Sequence, residues 1–345
     1  MCTTRSQIGL VIAIAVCVIH SEYIFSMRSC LHKEKHNLPQ AVNSPYLTMN
    51  TIDYNVSNVI QPVFSFKKND ALDEMTCAAE GVIPFFMYYG PGSANDWVCN
   101  NKGEQRVTAV MLHVFQGYCQ TNNYGAEGLM LDVGANAGYY GLMALKMGCR
   151  ALFFDLQPEC HRFINNAIVI NQFTNNGRVV PYGVSSTYAS FKVPSGQCHG
   201  RYPQEARENN MFDQGDAIAR VHPLTTFIGL NQLIAMIKID TEGNERDVLQ
   251  GSLHHFSNHL VRNAIVEVTP GAGFWDRLNI TQLEVADTFA KVASYGYKLI
   301  LLWDWTVYNS TQEVHFFVMQ ANFIQSDVWF TIDDFGVEVL DAIKN

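Results

Sequence analysis

Acidic and amide side chains alternate with glycines in one short turn of the chain, and these residue types could bind a polar ligand. The turn has the spacing Asp132-x-Gly134-x-Asn136-x-Gly138, with Ala135 after the first glycine. An apolar strand at 129–133 precedes the turn, and a helix is predicted to follow it. Glycine and alanine let the backbone approach a ligand closely, because no bulky side chain intervenes. Ligands of open α/β sheets bind beyond such strand ends.

The carboxylate of Asp132 indicates which ligand this turn can accept. The dinucleotide fingerprint G-x-G-x-x-G is missing, and a carboxylate at the strand end would repel a pyrophosphate. The same carboxylate can bind an ammonium or a ribose hydroxyl. S-adenosyl-L-methionine has an α-ammonium and no phosphate, so the turn favours this cofactor over NAD. The alternative is an ordinary buried strand that ends in a glycine turn.

A second acidic residue, Asp155, ends the next predicted strand and lies 23 residues after Asp132. In cofactor-binding α/β folds, an acidic residue about 20 residues after the first turn binds the ribose hydroxyls. A carboxylate suits this role because it accepts two hydrogen bonds from a vicinal diol. Leu156 and Gln157, which follow it, belong to the same predicted cofactor site. The alternative is a surface aspartate that caps the helix opened by Pro158.

Three charged residues, Lys238, Asp240 and Glu242, alternate at the end of a further apolar strand, and the two-residue period of a strand puts them on one face. One carboxylate could act as a general base on an acceptor hydroxyl, or both could position the substrate or the methionine part of the cofactor. Glu267, near the end of the next strand, joins Asp240 and Glu242 as a catalytic candidate. A salt-bridged strand end is the alternative. An Asp240–Glu267 pair could also ligate Mg²⁺, but nothing in the sequence requires it, and no metal is predicted.

Strands and helices alternate from residue 129 onward, which predicts an α/β fold with a doubly wound, seven-stranded, mostly parallel sheet. The strands before the end of the chain are expected at 129–133, 151–154, 179–184, 235–240 and 264–268. A capping box at Thr281-x-x-Glu284 predicts a helix over 282–294. Two last strands, at 297–303 and 314–320, are expected to form a hairpin that adds an antiparallel strand. Residues 190–219 are interpreted as an irregular insertion.

Three segments are predicted to precede this domain. Residues 1–25 contain an unbroken apolar run of 12 residues, which predicts a signal anchor or a signal peptide. Residues 26–58 are interpreted as a stalk, 59–104 as a small N-terminal cap, and 105–345 as the α/β domain. We favour a single-pass anchor with the domain in the lumen of the Golgi or secretory pathway. A cleaved leader would give a secreted protein instead.

Charge, sequons and cysteines restrict the partners and the compartment. The net charge is −9 with no long basic run, which argues against nucleic acid as a partner. Three N-x-S/T sequons and nine cysteines agree with a glycoprotein of the secretory pathway. Cys77 and Cys99 are predicted to form a disulfide, whereas Cys149 and Cys160 are predicted to be buried thiols.

Four sequence blocks together resemble the FkbM-type methyltransferases over about residues 105–320: LDVGANAGYYGLMALKMG, FFDLQPECHRFINNAIVINQ, the GVSS at 183–186 and IKIDTEGNERDVLQGS. The resemblance implies a class I S-adenosylmethionine-dependent enzyme with a seven-stranded α/β fold. It also implies methyl transfer to an oxygen, often a hydroxyl on a sugar or complex metabolite.

The resemblance assigns roles to individual residues. It implies that the cofactor loop consists of Asp132, Gly134, Asn136 and Gly138, and that Gly183 and Val184 are neighbours of the adenine. Asp155 stands where the family usually has Glu, and Gln157 stands where it often has Asn. The family's lysine-isoleucine-aspartate block is matched by Asp240, Glu242 and Gly243.

The predicted function is therefore S-adenosylmethionine-dependent O-methylation of a hydroxyl on a glycan or another acceptor of the secretory pathway. One alternative is a non-catalytic, membrane-anchored ectodomain that keeps the fold as a binding module. Four acidic residues around one crevice argue against this alternative, because a site without catalytic activity has no need of these residues. A second alternative is an NAD-linked oxidoreductase, and the missing G-x-G-x-x-G argues against that.

Overall fold

The computed structural model describes residues 73–77, 85–89, 104–120, 128–194, 196, 198, 216–270, 274–323 and 325–333. The predicted leader and stalk lie outside these residues. Of the predicted N-terminal cap, strands β1 (Asp73–Cys77) and β2 (Phe85–Tyr89) are described, and they pair antiparallel. Cys99 lies outside the described part, and so does its predicted disulfide with Cys77. Among the helices that the structure describes, none has the length and apolarity needed to cross a membrane.

Strands and helices alternate through the first half of the α/β domain, as predicted. The elements are α1 (Gln105–Phe115), β3 (Leu129–Val133), α2 (Tyr139–Lys146), β4 (Arg150–Phe154), α3 (Pro158–Ile170), β5 (Gly177–Val180), β6 (Gly183–Val184) and β7 (Ala189–Pro194). A π-helical turn at Gln116–Gln120 extends α1. Every residue of β3 is buried, as expected for a parallel strand that is covered on both faces.

The second half continues the alternation and ends on an antiparallel strand. Its elements are β8 (Asp216–His222), β9 (Ile234–Ile239), α4 (Glu245–Ser257), β10 (Val261–Val268), α5 (Phe274–Arg277), α6 (Gln282–Ala293), β11 (Lys298–Leu301), β12 (Val307–Tyr308), α7 (Thr311–Gln320) and β13 (Ser326–Thr331). The predicted capping box begins α6: the Thr281 hydroxyl accepts from the Glu284 N–H, and the Glu284 carboxylate accepts from the Thr281 N–H.

The main sheet has the strand order β12-β11-β13-β10-β9-β3-β4-β5. The five strands from β10 to β5 are parallel, and β13 is antiparallel to both of its neighbours. The two-residue strand β12 is an eighth member beyond the seven that were predicted. Helices α1, α2 and α3 bury their apolar residues in the core on one face, and α4, α6 and α7 do so on the other. The carboxyl ends of the parallel strands therefore form one edge between two helical layers.

Three predictions about strands are wrong. Residues 314–320 belong to helix α7, which a capping box between Ser310 and Glu313 begins, and the antiparallel strand is β13 instead. The single strand expected at 179–184 is divided, because β5 joins the main sheet and β6 joins a separate sheet with the order β6-β8-β7. The insertion at 190–219 is therefore not irregular throughout, since β7 and β8 pair antiparallel at its two ends.

The prediction of buried thiols is also wrong. Cys149 forms a disulfide with Cys119 in the π-helical turn, and Cys160 forms one with Cys198 after β7. Cys149, Cys160 and Cys198 are buried, as a hydrophobic pattern would suggest. Burial alone does not show whether a cysteine is a free thiol or half of a disulfide. The second cysteine comes from a distant part of the chain, and the local sequence pattern does not identify it.

Candidate active site

The predicted cofactor loop crosses the carboxyl edge of the sheet between β3 and α2. The backbone N–H groups of Gly134 and Ala135 both donate to the carbonyl oxygen of Phe154, at 2.9 and 3.0 Å, which fixes the loop to the end of β4. Gly134 has a φ of +79°, and Gly138, which precedes α2, has a φ of +85°. A side chain at Gly134 would also clash sterically, since an ideal Cβ would lie 1.7 Å from the Asp240 carbonyl oxygen.

Asp132 is buried beneath this loop. Its Oδ2 accepts a hydrogen bond of 2.8 Å from the N–H of Gly141, in the first turn of α2, where backbone N–H groups have no partner within the helix. Burial raises the pKa of Asp132 to about 7, although the Gly141 N–H and the Lys238 charge act in the opposite direction. The carboxylate therefore holds the helix in place, which is a role that the sequence analysis did not include. Its contact with a ligand stays a prediction.

Asp155 connects the predicted cofactor residues to one another. One carboxylate oxygen accepts from the Asn136 N–H and the other from the Gln157 N–H, each at 2.8 Å. The ring of His161 donates from Nε2 to the Asp155 carbonyl oxygen at 2.8 Å. Burial raises the pKa of Asp155, while His161 and the N–H donors oppose this rise. Because each carboxylate oxygen has two lone pairs, these contacts leave acceptor capacity for a diol.

The predicted neighbours of adenine lie beside this group. Gly183 and Val184 form β6, which pairs in parallel with the end of β8. An ideal Cβ at Gly183 would lie 2.9 Å from the side chain of Leu156, so the two residues are in close contact. The structure thus brings Leu156, Gln157, Gly183 and Asn136 to one half of the carboxyl edge.

The other half of the edge centres on Lys238, which is only 1% exposed. Its ammonium nitrogen lies 3.4 Å from Asp240 and 3.2 Å from Asp327, a β13 residue that the sequence analysis missed. Burial lowers the pKa of Lys238, but the surrounding carboxylates outweigh this and raise it well above its ordinary value. Burial raises the pKa of Asp327 to about 6 despite the lysine. The side chain of Asp240 is 32% exposed, so it can reach a substrate.

Glu242 and its neighbours form a tight turn after β9. Glu242 and Gly243 have φ values of +55° and +105°. The turn is held by Glu245, another residue that the sequence analysis missed, whose Oε1 accepts from the Thr241 N–H, the Thr241 hydroxyl and the Gly243 N–H at 2.9 to 3.1 Å. Glu245 thus stabilises the turn that carries Asp240 and Glu242. Its position at the start of α4, directly after the acidic block, is the sequence feature that could have identified it.

Glu267 lies within β10, opposite Asp327 of β13. Its Oε1 accepts from the Gln325 amide, and its buried Oε2 has no hydrogen-bond partner among the described residues. Burial raises the pKa of Glu267 well above its ordinary value, and Asp240 adds to this rise. Within the described ranges, no three histidine, cysteine or carboxylate side chains are grouped so that they could hold a metal ion.

An exposed tryptophan extends the Lys238 half of the edge. β11 runs parallel to β10, since both are antiparallel to β13, so the loop after β11 lies at the same edge. In this loop the Leu302 N–H donates to the Asp327 carbonyl oxygen at 3.0 Å. The next residue, Trp303, is 72% exposed, and the guanidinium carbon of Arg106 lies 5.4 Å from its ring centroid.

The strand order and the loop geometry define a methyltransferase-like α/β fold. Residues 132–299 match the family model of the methyltransferase FkbM domain, which confirms the resemblance for this part of the chain. This match includes every predicted site residue, from Asp132 to Glu267.

The solved structures that match the chain include methyltransferases of low sequence identity. The FkbM methyltransferase from Methylobacillus flagellatus KT is 16% identical over 63% of this chain and 47% of that chain, with a TM-score of 0.35. A SAM-dependent methyltransferase from Agrobacterium tumefaciens is 9% identical over 78% and 73% of the two chains, with a TM-score of 0.37. The StiE O-MT is 9% identical over 74% and 88%, with a TM-score of 0.33. The chain spans about half of the first of these. No curated protein matches the chain.

Proposed function

We propose that the chain is an S-adenosylmethionine-dependent O-methyltransferase that acts on a hydroxyl of a neutral glycan in the secretory pathway. One observation carries the proposal: the predicted cofactor loop and the predicted catalytic aspartate are in direct contact, with no room for a Cβ between Gly134 and the Asp240 carbonyl oxygen. A cofactor on the loop would therefore lie next to the partly exposed carboxylate of Asp240.

The residues of the first half of the edge suit this cofactor. The Asp155 carboxylate offers acceptors for the ribose hydroxyls. Acids near the loop, such as Asp240, can attract an ammonium, whereas a pyrophosphate would be repelled. When bound, S-adenosylmethionine supplies an electrophilic methyl group for an acceptor oxygen.

The second half of the edge would act on the acceptor. Asp240 is expected to accept the proton that the acceptor hydroxyl loses, as a general base does. The buried ammonium of Lys238 holds the Asp240 carboxylate in position from below. Asp327 holds the other side of the ammonium, so the three groups form a fixed unit. Orientation of the hydroxyl by such a unit is a large part of catalysis in transfer reactions.

Charge and shape at this half favour a neutral, ring-shaped acceptor. Lys238 offsets only one of the two carboxylates that it contacts, Asp240 and Asp327, so this half would repel a phosphate, sulfate or carboxylate on the acceptor. The exposed ring of Trp303 offers a flat apolar surface with a polar edge, which suits the C–H face of a sugar ring. We therefore infer a neutral saccharide rather than an acidic one.

The compartment is proposed from the apolar leader and the disulfides. Disulfides form and persist in oxidising compartments, and the α/β domain contains two, Cys119–Cys149 and Cys160–Cys198. The apolar run at 8–19 supplies a targeting segment of suitable length. Both features support a luminal domain held by an N-terminal membrane anchor.

The test is transfer of a tritiated methyl group from S-adenosylmethionine to neutral and acidic oligosaccharides by the full chain. We expect incorporation into neutral acceptors only, and a loss of about 10²-fold or more in Asp240→Asn, since general bases contribute at that scale. Asp287→Asn, at an exposed position on α6, is the matched control and should retain activity. A folded chain that binds no cofactor would instead support the non-catalytic ectodomain.

A further inference from the structure

The disulfide between Cys160 and Cys198 lies at the cofactor half of the carboxyl edge. Cys160 is in the first turn of α3, three residues after Gln157, and it is fully buried. Cys198 follows β7, after Pro194, and is buried as well. The bond therefore connects Cys198 to α3. This helix begins three residues after Asp155, which is predicted to bind the ribose hydroxyls.

Cys198 also contacts the cofactor loop itself. Its sulfur lies 3.2 Å from the side-chain oxygen of Asn136. This is a packing contact, since a disulfide sulfur carries no hydrogen. The backbone of Asn136 has a φ of +50° and donates its N–H to Asp155. This left-handed conformation is uncommon outside glycine, although asparagine adopts it more often than most other residues. Asn136 is thus held by Asp155 on its backbone side and by the disulfide on its side-chain side.

The same segment belongs to the small sheet behind the adenine neighbours. β7 pairs with β8, and β8 pairs with β6, which contains Gly183 and Val184. The disulfide, at Cys198 four residues after β7, consequently links the chain that leaves this small sheet to α3. Three parts of the predicted cofactor site, at Asn136, Asp155 and Gly183, are joined through one covalent bond and its neighbours.

Resting on the proposed function, we propose that the Cys160–Cys198 disulfide is a positioning element of the cofactor site, which holds the loop at Asn136 in its ligand-binding conformation. Preorganisation of a site raises affinity because less conformational freedom is lost on binding. Removal of the bond should weaken cofactor binding without removing any group that contacts the cofactor's charged or polar atoms.

The second disulfide provides a matched control. Cys149 directly precedes β4, and the Arg150 N–H donates to the Gly128 carbonyl oxygen before β3, so Cys119–Cys149 lies at the amino edge of the sheet. The two bonds have sequence separations of 30 and 38 residues. Their effects on the entropy of the unfolded chain are therefore similar, and differences between them report on position in the fold.

The experiment compares the full chain with Cys160→Ser/Cys198→Ser and Cys119→Ser/Cys149→Ser. Calorimetry should show that S-adenosylhomocysteine binds roughly three- to tenfold more weakly to the first variant, and within about twofold of wild type to the second. Hydrogen exchange without ligand should be faster at 134–138 in the first variant only. Where the serine pair unfolds, Cys160→Ala/Cys198→Val is measured instead.

Two outcomes would overturn the inference, and a third concerns the proposed function. Equal affinities of the two variants, or unchanged exchange at 134–138 in the first, would show that the bond does not position the loop. If the wild-type chain binds no S-adenosylhomocysteine, the proposed function fails, and the exchange measurement still decides whether the disulfide holds the loop.

Discussion

An ideal Cβ on Gly134 would lie 1.7 Å from the carbonyl oxygen of Asp240, so the loop after β3 and the end of β9 are in backbone contact. This contact joins the two sequence blocks that carry the candidate chemistry. Asp240 also donates its N–H to the Val133 carbonyl oxygen at 3.0 Å. The two blocks are thus fixed to each other before any ligand binds.

Gly134→Ala should separate these two blocks and abolish binding of S-adenosylhomocysteine. Its positive φ costs about 1–2 kcal/mol for alanine, and the clash adds about 1–3 kcal/mol. Gly296→Ala is the control, because Gly296 has a φ of +94° but open space around its Cβ position. Urea denaturation measures the loss in the free energy of unfolding for both variants, and calorimetry measures their binding of S-adenosylhomocysteine. Equal destabilisation by the two substitutions would show that the contact at Gly134 is unimportant.

Asp132→Asn tests the buried carboxyl under the loop. The pKa of Asp132 is about 7 in the folded protein and about 4 in an unfolded chain. The folded state therefore holds more protons between these values, and its free energy of unfolding falls as the pH rises from about 4 to 7. Asparagine can still accept from the Gly141 N–H but does not titrate. The free energy of unfolding of the variant, relative to that of wild type, should thus rise by roughly 2–4 kcal/mol between pH 4 and pH 8.

Denaturation curves at several pH values measure this gain. The control is Asp287→Asn, which removes an exposed carboxylate paired with His315 and should change the free energy of unfolding by less than about 1 kcal/mol at each pH. Parallel curves for Asp132→Asn and wild type would contradict the raised pKa.

Lys238→Met tests the buried ammonium. Removal of one partner from a buried ion pair leaves uncompensated charge and costs about 3–5 kcal/mol, here because Asp240 and Asp327 lose their shared cation. Lys291→Met, which removes a lysine on α6 that lies over the Tyr295 ring, should cost less than about 1 kcal/mol. Thermal unfolding of both variants provides the comparison. Similar losses in both would mean that Lys238 does not hold the two carboxylates.

Trp303→Ala tests the acceptor surface. The variant should raise the KM for a neutral oligosaccharide roughly tenfold, because stacking of an aromatic ring contributes at the scale of 1 kcal/mol or more, while the affinity for S-adenosylhomocysteine stays unchanged. Phe316→Ala is the matched control, since Phe316 is 66% exposed on α7. An unchanged KM in Trp303→Ala would place the acceptor elsewhere.

The parallel part of the fold could be predicted from sequence because its strands are short, mostly apolar runs. β3 and β9 are fully buried, and their flanking turns contain glycine. The helix α7 was missed because its residues Val314, Phe316 and Phe317 are also typical of strands. The sequence Ser310-Thr-Gln-Glu313 contained the capping signal that begins this helix.

Part of the site could be predicted for the same reason, since carboxylates that end parallel strands meet at one edge. Asp132, Asp155 and Asp240 do so. Asp327 could not be predicted, because it enters from the antiparallel strand β13, whose register with Glu267 is a tertiary feature. Neither could the Cys160–Cys198 bond, since residue spacing alone does not determine disulfide pairing.

The most direct test of the account is calorimetric binding of S-adenosylhomocysteine to the full chain and to Asp155→Ala. The account predicts saturable binding to wild type and an affinity at least about tenfold lower for the variant, because hydrogen bonds to a charged group contribute at this scale. Asp287→Ala should bind as wild type does. A folded wild-type chain without binding, or an Asp155→Ala variant with unchanged affinity, would contradict the assignment of this loop as the cofactor site.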